Sequence, residues 1–134
     1  MKYILDTNII SYLMRGTYPL LAQKVLTVHP SEMAISSVTL FEIQYGAEKR
    51  HWGDALRRRM WEFLSPFTII PFDARDAITA GNIRACLSDR GQPIGQYDLM
   101  IAAQGVARNM IVVTHNTGEF IRIPLIQLED WTEE

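Results

Sequence analysis

Four side chains with oxygen donor atoms stand where the sequence predicts the end of a strand or the first turns of a helix: Asp6, Glu42, Asp98 and Asn116. They belong to four separate segments of the chain. Oxygen donors without cysteine or paired histidine ligands suit a hard cation, and Mg²⁺ fits this set best, with Mn²⁺ as the second choice. The pattern therefore predicts a divalent metal site if the fold brings the four positions together.

Phosphodiester hydrolysis is the chemistry that such a site favours. A bound cation lowers the pKa of a coordinated water and neutralises the charge that develops on phosphoryl oxygens. A neighbouring carboxylate such as Glu42 can orient that water or accept its proton. The residues therefore indicate hydrolysis of a phosphate ester rather than redox or acyl-transfer chemistry.

Short apolar segments alternate with amphipathic ones along the chain, which is the pattern of strands alternating with helices. We predict strands over residues 2–5, 33–35, 67–70, 110–113 and, at the edge of the sheet, 123–128. The helices are predicted over residues 9–14, 20–28, 40–47, 52–64, 74–90 and 97–108. Fully apolar strands of this kind form a parallel sheet that is covered on both faces. The predicted fold class is α/β, a three-layer α/β/α sandwich around a mostly parallel five-stranded sheet.

A parallel sheet predicts that the four donor residues meet, because the carboxyl ends of its strands lie along one edge. Each residue also has a structural explanation. Asp6 can cap the first helix, and Glu42 stands three residues after Thr39, the spacing of a capping box. Asp98 can interact with a helix dipole, and Asn116 is a common turn residue. Four coincidences at one edge would leave a repulsive acidic cluster without a purpose, so the set favours a site.

Composition places the chain among ordinary globular proteins, with 48% hydrophobic and 21% charged residues. A length of 134 residues suits one domain, which we expect to span residues 1–134. No apolar run approaches the roughly 20 residues that span a bilayer, and Asp6 interrupts the N-terminal segment before a signal sequence forms. Cys86 is the only cysteine, which favours a reducing compartment. We therefore expect a cytoplasmic protein without membrane contact.

Charge is unevenly distributed along the chain. The net charge is −2, which gives no overall case for binding nucleic acid. Within residues 49–62, however, five basic side chains stand against two acidic ones, whereas residues 119–134 carry five acids and one arginine. The first segment is either a phosphate-binding patch or the solvated face of a helix. Tyr97, Trp52 and Trp61 either stack on bases or belong to the core.

His115 raises a second chemistry, because it lies next to Asn116 and a histidine can activate an RNA 2′-hydroxyl without a metal. We do not favour that mechanism, since no second acid–base residue stands beside His115 in the sequence. His29 and His51 are expected on the surface.

A set of segments resembles PIN-domain proteins of the VapC toxin type: YILDTN, SSVTLFEIQYGAEK, PIGQYDLMIAA, VVTHNTGEF and IPLIQLEDW. The segments occur in order and at the usual intervals over nearly the whole chain. An Asp-Thr-Asn after the first strand is weak alone, whereas the set is highly specific. The resemblance implies a PIN-like fold and a Mg²⁺-dependent endoribonuclease. Such an enzyme is the toxin of a type II toxin–antitoxin pair, which a cognate VapB-type antitoxin neutralises.

The resemblance also implies a role for each donor residue. The two metal-binding aspartates of the family fall on Asp6 and Asp98, and its conserved glutamate falls on Glu42. A fourth acidic position of many PIN domains falls on Asn116. An amide supplies no negative charge, so the resemblance leaves open whether one or two metals bind.

Three further residues are expected to assist the site. Glu119 lies one helical turn after Asn116 and can partly replace the missing charge, although an exposed loop acid is an equally good description. Thr7 and Asn8 are expected to hold Asp6 or a metal-bound water through hydrogen bonds.

RNA is the substrate that the resemblance implies, with tRNA as the first candidate, and the family suggests a homodimer. Apolar residues of the antitoxin are expected to fill a groove between the helices at 9–14 and 40–47, with a basic side chain reaching the acidic site. DNA contact is expected only indirectly, through the antitoxin. The alternative is a non-cleaving module that binds RNA or the antitoxin. Asn116 favours that alternative, whereas the three acidic residues favour the nuclease.

Overall fold

Five short strands form the central sheet of the computed structural model, which describes residues 1–134. The strands are β1 (Tyr3–Leu5), β2 (Met33–Ser36), β3 (Thr68–Ile70), β4 (Ile111–Val113) and β5 (Leu128–Glu129). The helices are α1 (Thr7–Arg15), α2 (Pro19–Thr27), α3 (Ser37–Lys49), α4 (Asp54–Leu64), α5 (Ala74–Asp89), α6 (Gln96–Ala107) and α7 (Thr117–Phe120). A 3₁₀ turn at Pro30–Glu32 precedes β2.

The strands lie in the order β3-β2-β1-β4-β5, and every neighbouring pair is parallel. This confirms the predicted α/β class and the five-stranded sheet. β1 lies in the middle, with Ile4 opposite Ala34 of β2 on one side and Val112 of β4 on the other. Because all strands run in one direction, the residues that follow β1, β2 and β4 leave the sheet along the same edge.

Two apolar layers cover the sheet, because alternate residues of each strand point to opposite faces. Ile4, Ala34 and Val112 pack with α5 and α6 in one buried cluster, whereas Leu5 and Ile35 pack with α1, α2 and α4 in the other. The clusters contain 15 and 13 buried residues, so the two faces are covered almost equally. The three-layer arrangement is therefore confirmed. None of the helices combines the length and the apolar character needed to cross a bilayer.

The first helix begins at Thr7, two residues before the range of 9–14 that the sequence predicts. Asp6 caps α1, and its carboxylate accepts a hydrogen bond from the Ile9 amide at 2.8 Å. Thr7 and Asn8 are already helical. α1 ends at Gly16, whose φ of +68° is a left-handed conformation that glycine adopts without strain.

The last strand is much shorter than the sequence indicates. A strand is predicted over residues 123–128, but only Leu128 and Glu129 pair with β4. The residues before them form turns, and Leu125 has a φ of +65° and an exposed side chain. Pro124 has no amide hydrogen to contribute to a ladder, so this segment is unsuited to continuous pairing.

Buried polar contacts fix the C-terminal end of α6. Asp76 of α5 is fully buried and accepts hydrogen bonds from Gln104 at 3.1 Å and from Arg108 at 3.0 and 3.2 Å. Burial by itself raises the pKa of the Asp76 carboxyl, but Arg108, the Asp73 amide and Gln104 bring it below its ordinary value. α6 carries Asp98 in its first turn, so this network anchors the helix that presents Asp98.

Gly105 allows α6 to lie directly on the sheet. A Cβ atom at this position would overlap the Val112 side chain of β4 and would lie 3.5 Å from Ile4 Cγ2 in β1. Both neighbours are β-branched core residues with stiff side chains, so neither gives way easily. Close approach of α6 to the central strands therefore requires a residue without a Cβ atom at this position.

We predict that Gly105→Ala lowers the free energy of unfolding by about 1–3 kcal/mol, because overpacking outweighs the better helix propensity of alanine. Gly81→Ala is the matched control, since Gly81 is also helical and nothing lies within 4 Å of its added Cβ. The control should gain about 0.5–1 kcal/mol. Urea denaturation of both variants measures the difference. Equal effects at the two positions would contradict close packing at Gly105.

Candidate active site

Asp6 is the most buried of the four donor residues, with an exposed fraction of 2%. Its backbone amide donates to the Val113 carbonyl at 3.1 Å, which ties the end of β1 to the end of β4. Burial raises the pKa of the Asp6 carboxyl to about 6, although the Thr114 hydroxyl and the Ile9 amide stabilise the charged form. Asp6 is therefore both a helix cap and a carboxylate that is costly to ionise. The capping explanation accounts for the first property and leaves the second unexplained.

Glu42 lies in the second turn of α3, a helix that follows β2 directly and is capped by Ser36. The Thr7 hydroxyl donates to the Glu42 carboxylate at 2.7 Å and lies 3.0 Å from the Thr39 hydroxyl. A capping box with Thr39 is excluded, because Thr39 is already inside the helix. The Thr7 hydroxyl therefore contacts Glu42 and not Asp6, and its contact with a metal-bound water stays a prediction.

Asp98 is the third residue of α6 and is half-buried. Burial raises the pKa of the Asp98 carboxyl, and the negative charges of Glu42 and Glu119 raise it further. The charges of Asp98 and Glu42 act in the same way on Asp6. No hydrogen bond offsets these effects at Asp98. The structure thus brings four carboxyl groups close enough to repel one another at the carboxyl edge of the sheet.

Asn116 stands at the start of α7, and its side-chain amide donates to the Glu119 carboxylate at 2.8 Å. Its backbone amide donates to the Thr114 hydroxyl at 3.0 Å. Glu119 therefore lies within the same group of polar side chains, and its role as an accessory acid stays a prediction. Asn8 is exposed and makes no hydrogen bond to the Asp6 carboxylate, so for this residue only the contact with a metal-bound water stays a prediction.

The hydroxyl of Thr114 is a contributor that the sequence analysis does not assign. Its only signal is its place at the end of β4, directly before the Asn116 segment. Likewise, Thr39 is considered only as a helix cap, whereas it lies beside the Thr7 hydroxyl. Short hydroxyl side chains of this kind are common at helix starts, so their contact with a distant carboxylate becomes visible only in the folded chain.

The donor set suits a hard divalent cation. All its charged groups are carboxylates, and burial, with a further contribution from their mutual repulsion, raises the pKa values of Asp6 and Asp98. Only one trio in the protein, His115, Asp130 and Glu133, has ligand atoms that all lie within 4.8 Å of one another. The carboxylates of the donor set are therefore spaced more widely than that trio. Wider spacing is compatible with Mg²⁺, which keeps several of its waters and takes only one or two carboxylates directly.

His115 has an acid–base partner, contrary to the sequence analysis. Its Nδ1 lies 3.0 Å from the Asp130 carboxylate and 2.9 Å from the Thr132 hydroxyl. Its ring lies against Tyr12 and Tyr18, with a centroid distance of 5.4 Å to Tyr18. The partner comes 15 residues later in the chain, which is why neighbouring residues do not reveal it. These contacts attach the C-terminal segment to α1 and α2.

The basic segment is partly engaged within the protein. Arg57 of α4 donates to Glu48 at 2.7 Å and to the Trp52 carbonyl at 2.9 Å, which fastens α4 to the end of α3. Arg58 and Arg59 are exposed. A phosphate-binding patch would therefore consist of fewer side chains than the charge count suggests.

A groove of about 510 Å³ runs between α1 and α3. Thr7 and Glu42 line its acidic end, whereas Lys49, Arg50 and Trp52 line the other. It lies between the same two helices that the sequence analysis proposes as walls of an antitoxin groove. One end of the groove therefore opens on the carboxylates.

Comparison with known proteins agrees with the fold. The model of the family described as PIN domain matches residues 3–125. The chain belongs to the PIN domain family. This PIN domain is 39% identical over 131 residues to the tRNA(fMet)-specific endonuclease VapC of Salmonella typhimurium, with 98% of each chain covered. It is 36% identical over 131 residues to Ribonuclease VapC2 of Haemophilus influenzae, again with 98% of each covered.

Two solved structures of VapBC proteins are similar to this PIN domain. VapBC2 from Rickettsia felis, bound to a DNA fragment from its promoter, has a TM-score of 0.88 at 36% identity, over 98% of this chain and 99% of that one. VapBC-1 from Haemophilus influenzae has a TM-score of 0.88 at 31% identity, over 99% and 100% of the two chains. The resemblance noted in the sequence is thereby confirmed.

We predict that Asp6→Asn stabilises the metal-free PIN domain at neutral and higher pH. A raised carboxyl pKa means that ionising Asp6 costs folding free energy, and this cost grows between about pH 4 and pH 6. A shift from 3.8 to about 6 corresponds to about 3 kcal/mol above pH 7. Asparagine removes the charge and still caps the helix. Urea denaturation in chelator, from pH 4 to pH 8, should show the gain rising with pH.

Asp76→Asn is the matched control, because the pKa of Asp76 is lowered rather than raised. Its carboxylate contributes stability above the unfolded pKa, so removing the charge should destabilise the protein at pH 7. Earlier unfolding of Asp6→Asn than wild type at pH 8 in chelator would show that Asp6 is a structural cap only.

Proposed function

We propose that the chain is a divalent-metal-dependent endoribonuclease and the toxin of a VapBC-type pair. The observation that carries this proposal is the group of mutually repelling carboxyl groups around the buried Asp6, at the ends of β1 and β4. Such a group is costly in the free protein, and a bound cation relieves the cost. Identity of 36–39% to proteins named as VapC nucleases supports the same reaction class.

Asp6 and Asp98 would hold the cation, which we propose to be Mg²⁺, with Mn²⁺ as a substitute. When bound, such a cation supplies positive charge beside the phosphoryl oxygens and lowers the pKa of a coordinated water. Asp6 is well suited to the role, since the Ile9 amide and the Thr114 hydroxyl fix its carboxylate. Asp98 has no competing hydrogen bond, so its oxygens are free to bind a ligand.

We propose that Glu42 accepts a proton from the attacking water. The Thr7 hydroxyl occupies one of its oxygens at 2.7 Å and fixes the direction of the carboxylate. Glu119 supplies the further negative charge that Asn116 lacks, and the Asn116 amide holds it in place at 2.8 Å. We infer that an acid–amide pair replaces the fourth acidic residue of other PIN domains.

Transfer RNA is the first substrate to test. Two relatives, from Salmonella typhimurium and Shigella flexneri, are named tRNA(fMet)-specific endonuclease VapC, at 39% and 37% identity. We also propose that the chain forms a homodimer and pairs with a VapB-type antitoxin. In this proposal the antitoxin, and not this chain, makes the contact with DNA.

We predict that purified protein cleaves RNA in Mg²⁺ and does not in chelator. Asp6→Asn and Asp98→Asn should each abolish cleavage, because each removes a ligand charge, whereas neither should reduce stability in chelator by more than about 1 kcal/mol. Incubation with total RNA and with tRNA, followed by mapping of the cut ends, measures the activity. Thermal unfolding of the same samples measures stability.

Glu32→Gln is a suitable control, since Glu32 is an acid of the 3₁₀ turn before β2, at the opposite end of that strand. It should cleave like wild type. Retained cleavage in Asp6→Asn or Asp98→Asn would contradict the metal-site assignment. Absence of any metal-dependent cleavage by the wild type, with RNA still bound, would instead favour the non-cleaving module.

We predict that a stoichiometric amount of the cognate antitoxin protects RNA from cleavage by filling the groove between α1 and α3. Met14 lines this groove, and truncating a central, well-packed side chain of an interface costs more than about 1 kcal/mol. Met14→Ala should therefore weaken the complex by about fivefold or more. Ile78→Ala, at an exposed residue of α5 outside the groove, is the control. Continued cleavage by the fully formed complex would overturn the inhibitory model.

A further inference from the structure

Two aromatic residues directly precede two of the site's carboxylates in the chain. Phe41 comes before Glu42 in α3, and Tyr97 comes before Asp98 in α6. Although 56 residues separate them, their rings meet with centroids 5.4 Å apart and planes inclined by 56°. α3 and α6 therefore each carry an aromatic ring and an acid at consecutive positions, and the two rings are in contact.

This aromatic pair is left in contact with water. Phe41 is 53% exposed and Tyr97 is 37% exposed. Tyr45, one helical turn after Phe41, is 58% exposed and also lines the groove that begins at Glu42. Neither Phe41 nor Tyr97 belongs to the two buried clusters, so the pair contributes little to the core.

We propose that Phe41 and Tyr97 form a stacking platform for an unpaired RNA base next to the cleaved phosphodiester bond. This inference rests on the proposed endoribonuclease function. Aromatic side chains bind unpaired bases by stacking, and a base inside a duplex has both faces covered by its neighbours. The platform therefore assigns the substrate class as RNA with an unpaired nucleotide at the cut, in a loop or a single strand.

Electrostatics support stacking as a main source of affinity at this position. The chain has a net charge of −2, and the groups around Asp6 are acidic, so the free protein does not attract phosphates there. Arg57, the most buried arginine of the basic segment, is engaged with Glu48 and Trp52. Stacking on an aromatic surface does not require positive charge, which suits a site of this kind.

The test compares cleavage kinetics of Phe41→Ala and Tyr97→Ala with those of wild type on an RNA stem–loop that contains the mapped cut in its loop. KM should rise by about 5- to 150-fold for each variant, with kcat changing much less, since the acids are untouched. Phe41→Trp and Tyr97→Phe keep a ring and should restore KM to within a few-fold. Leu26→Ala, at an 86% exposed residue of α2, is the control and should match wild type.

A second measurement removes the base instead of the ring. Stem–loops with an abasic site on either side of the cut should show the same rise in KM with wild type at one of the two positions. Phe41→Ala should show little additional loss on that RNA, because ring and base belong to one contact. Independent, multiplicative losses would overturn the platform.

Binding separates failure of the platform from failure of the nuclease. Asp98→Asn is used with a single-stranded oligoribonucleotide that carries 2-aminopurine, whose fluorescence is quenched on stacking. The Asp98→Asn variant should quench the fluorescence, and the double variant with Asp98→Asn and Phe41→Ala should not. This result supports the platform even if the wild type cleaves no RNA. The platform would be overturned if removal of the rings left the quenching or the KM unchanged. It would also be overturned if the alanine variants lost activity because a homodimer dissociates, as measured by sedimentation. The last result would identify the rings as a protein interface.

Discussion

Repulsion among carboxyl groups is the constraint around which the carboxyl edge of this sheet is organised. Asp6 lies at the end of the central strand, almost without solvent, and shares its surroundings with Asp98 and Glu42. An apolar fold has no use for such an arrangement, because each ionised neighbour makes the next ionisation less favourable. Burial and the neighbouring charges therefore make ionisation of Asp6 costly in the free protein, and the proposed cation would relieve that cost.

Hydrogen bonds and close packing hold the acids in place despite that repulsion. The Ile9 amide holds Asp6, Thr7 holds Glu42, and Asn116 holds Glu119, so each carboxylate keeps a defined direction. Farther away, Gly105 lets α6 lie on the sheet, and the buried Asp76 network ties the other end of α6 to α5. Both contacts fix the position of α6, and the position of Asp98 follows from that of the helix that carries it. Stability and site geometry are thus coupled through α6.

The surface around the acids divides into two regions with different chemistry. The groove between α1 and α3 leads from Glu42 to Lys49 and Arg50, and it suits a peptide with apolar residues and a basic end. The exposed rings of Phe41 and Tyr97 lie beside the same acids and suit a flat, unpaired base. An inhibitor and a substrate can therefore approach the carboxylates from different sides.

The amino-acid sequence determined the α/β class, the parallel sheet and the set of acids, because these follow from local features. Strands buried on both faces are apolar throughout, and a residue after such a strand must emerge at the carboxyl edge. The sequence also carried the family resemblance, which comparison confirmed. Only the tertiary structure decided which groups hold the acids. Thr7 meets Glu42 across 35 residues, and His115 meets Asp130 across 15, so no local pattern encodes either contact. The shortened last strand and the pairing of Phe41 with Tyr97 belong to the same class, because they depend on how distant segments pack and not on their own composition.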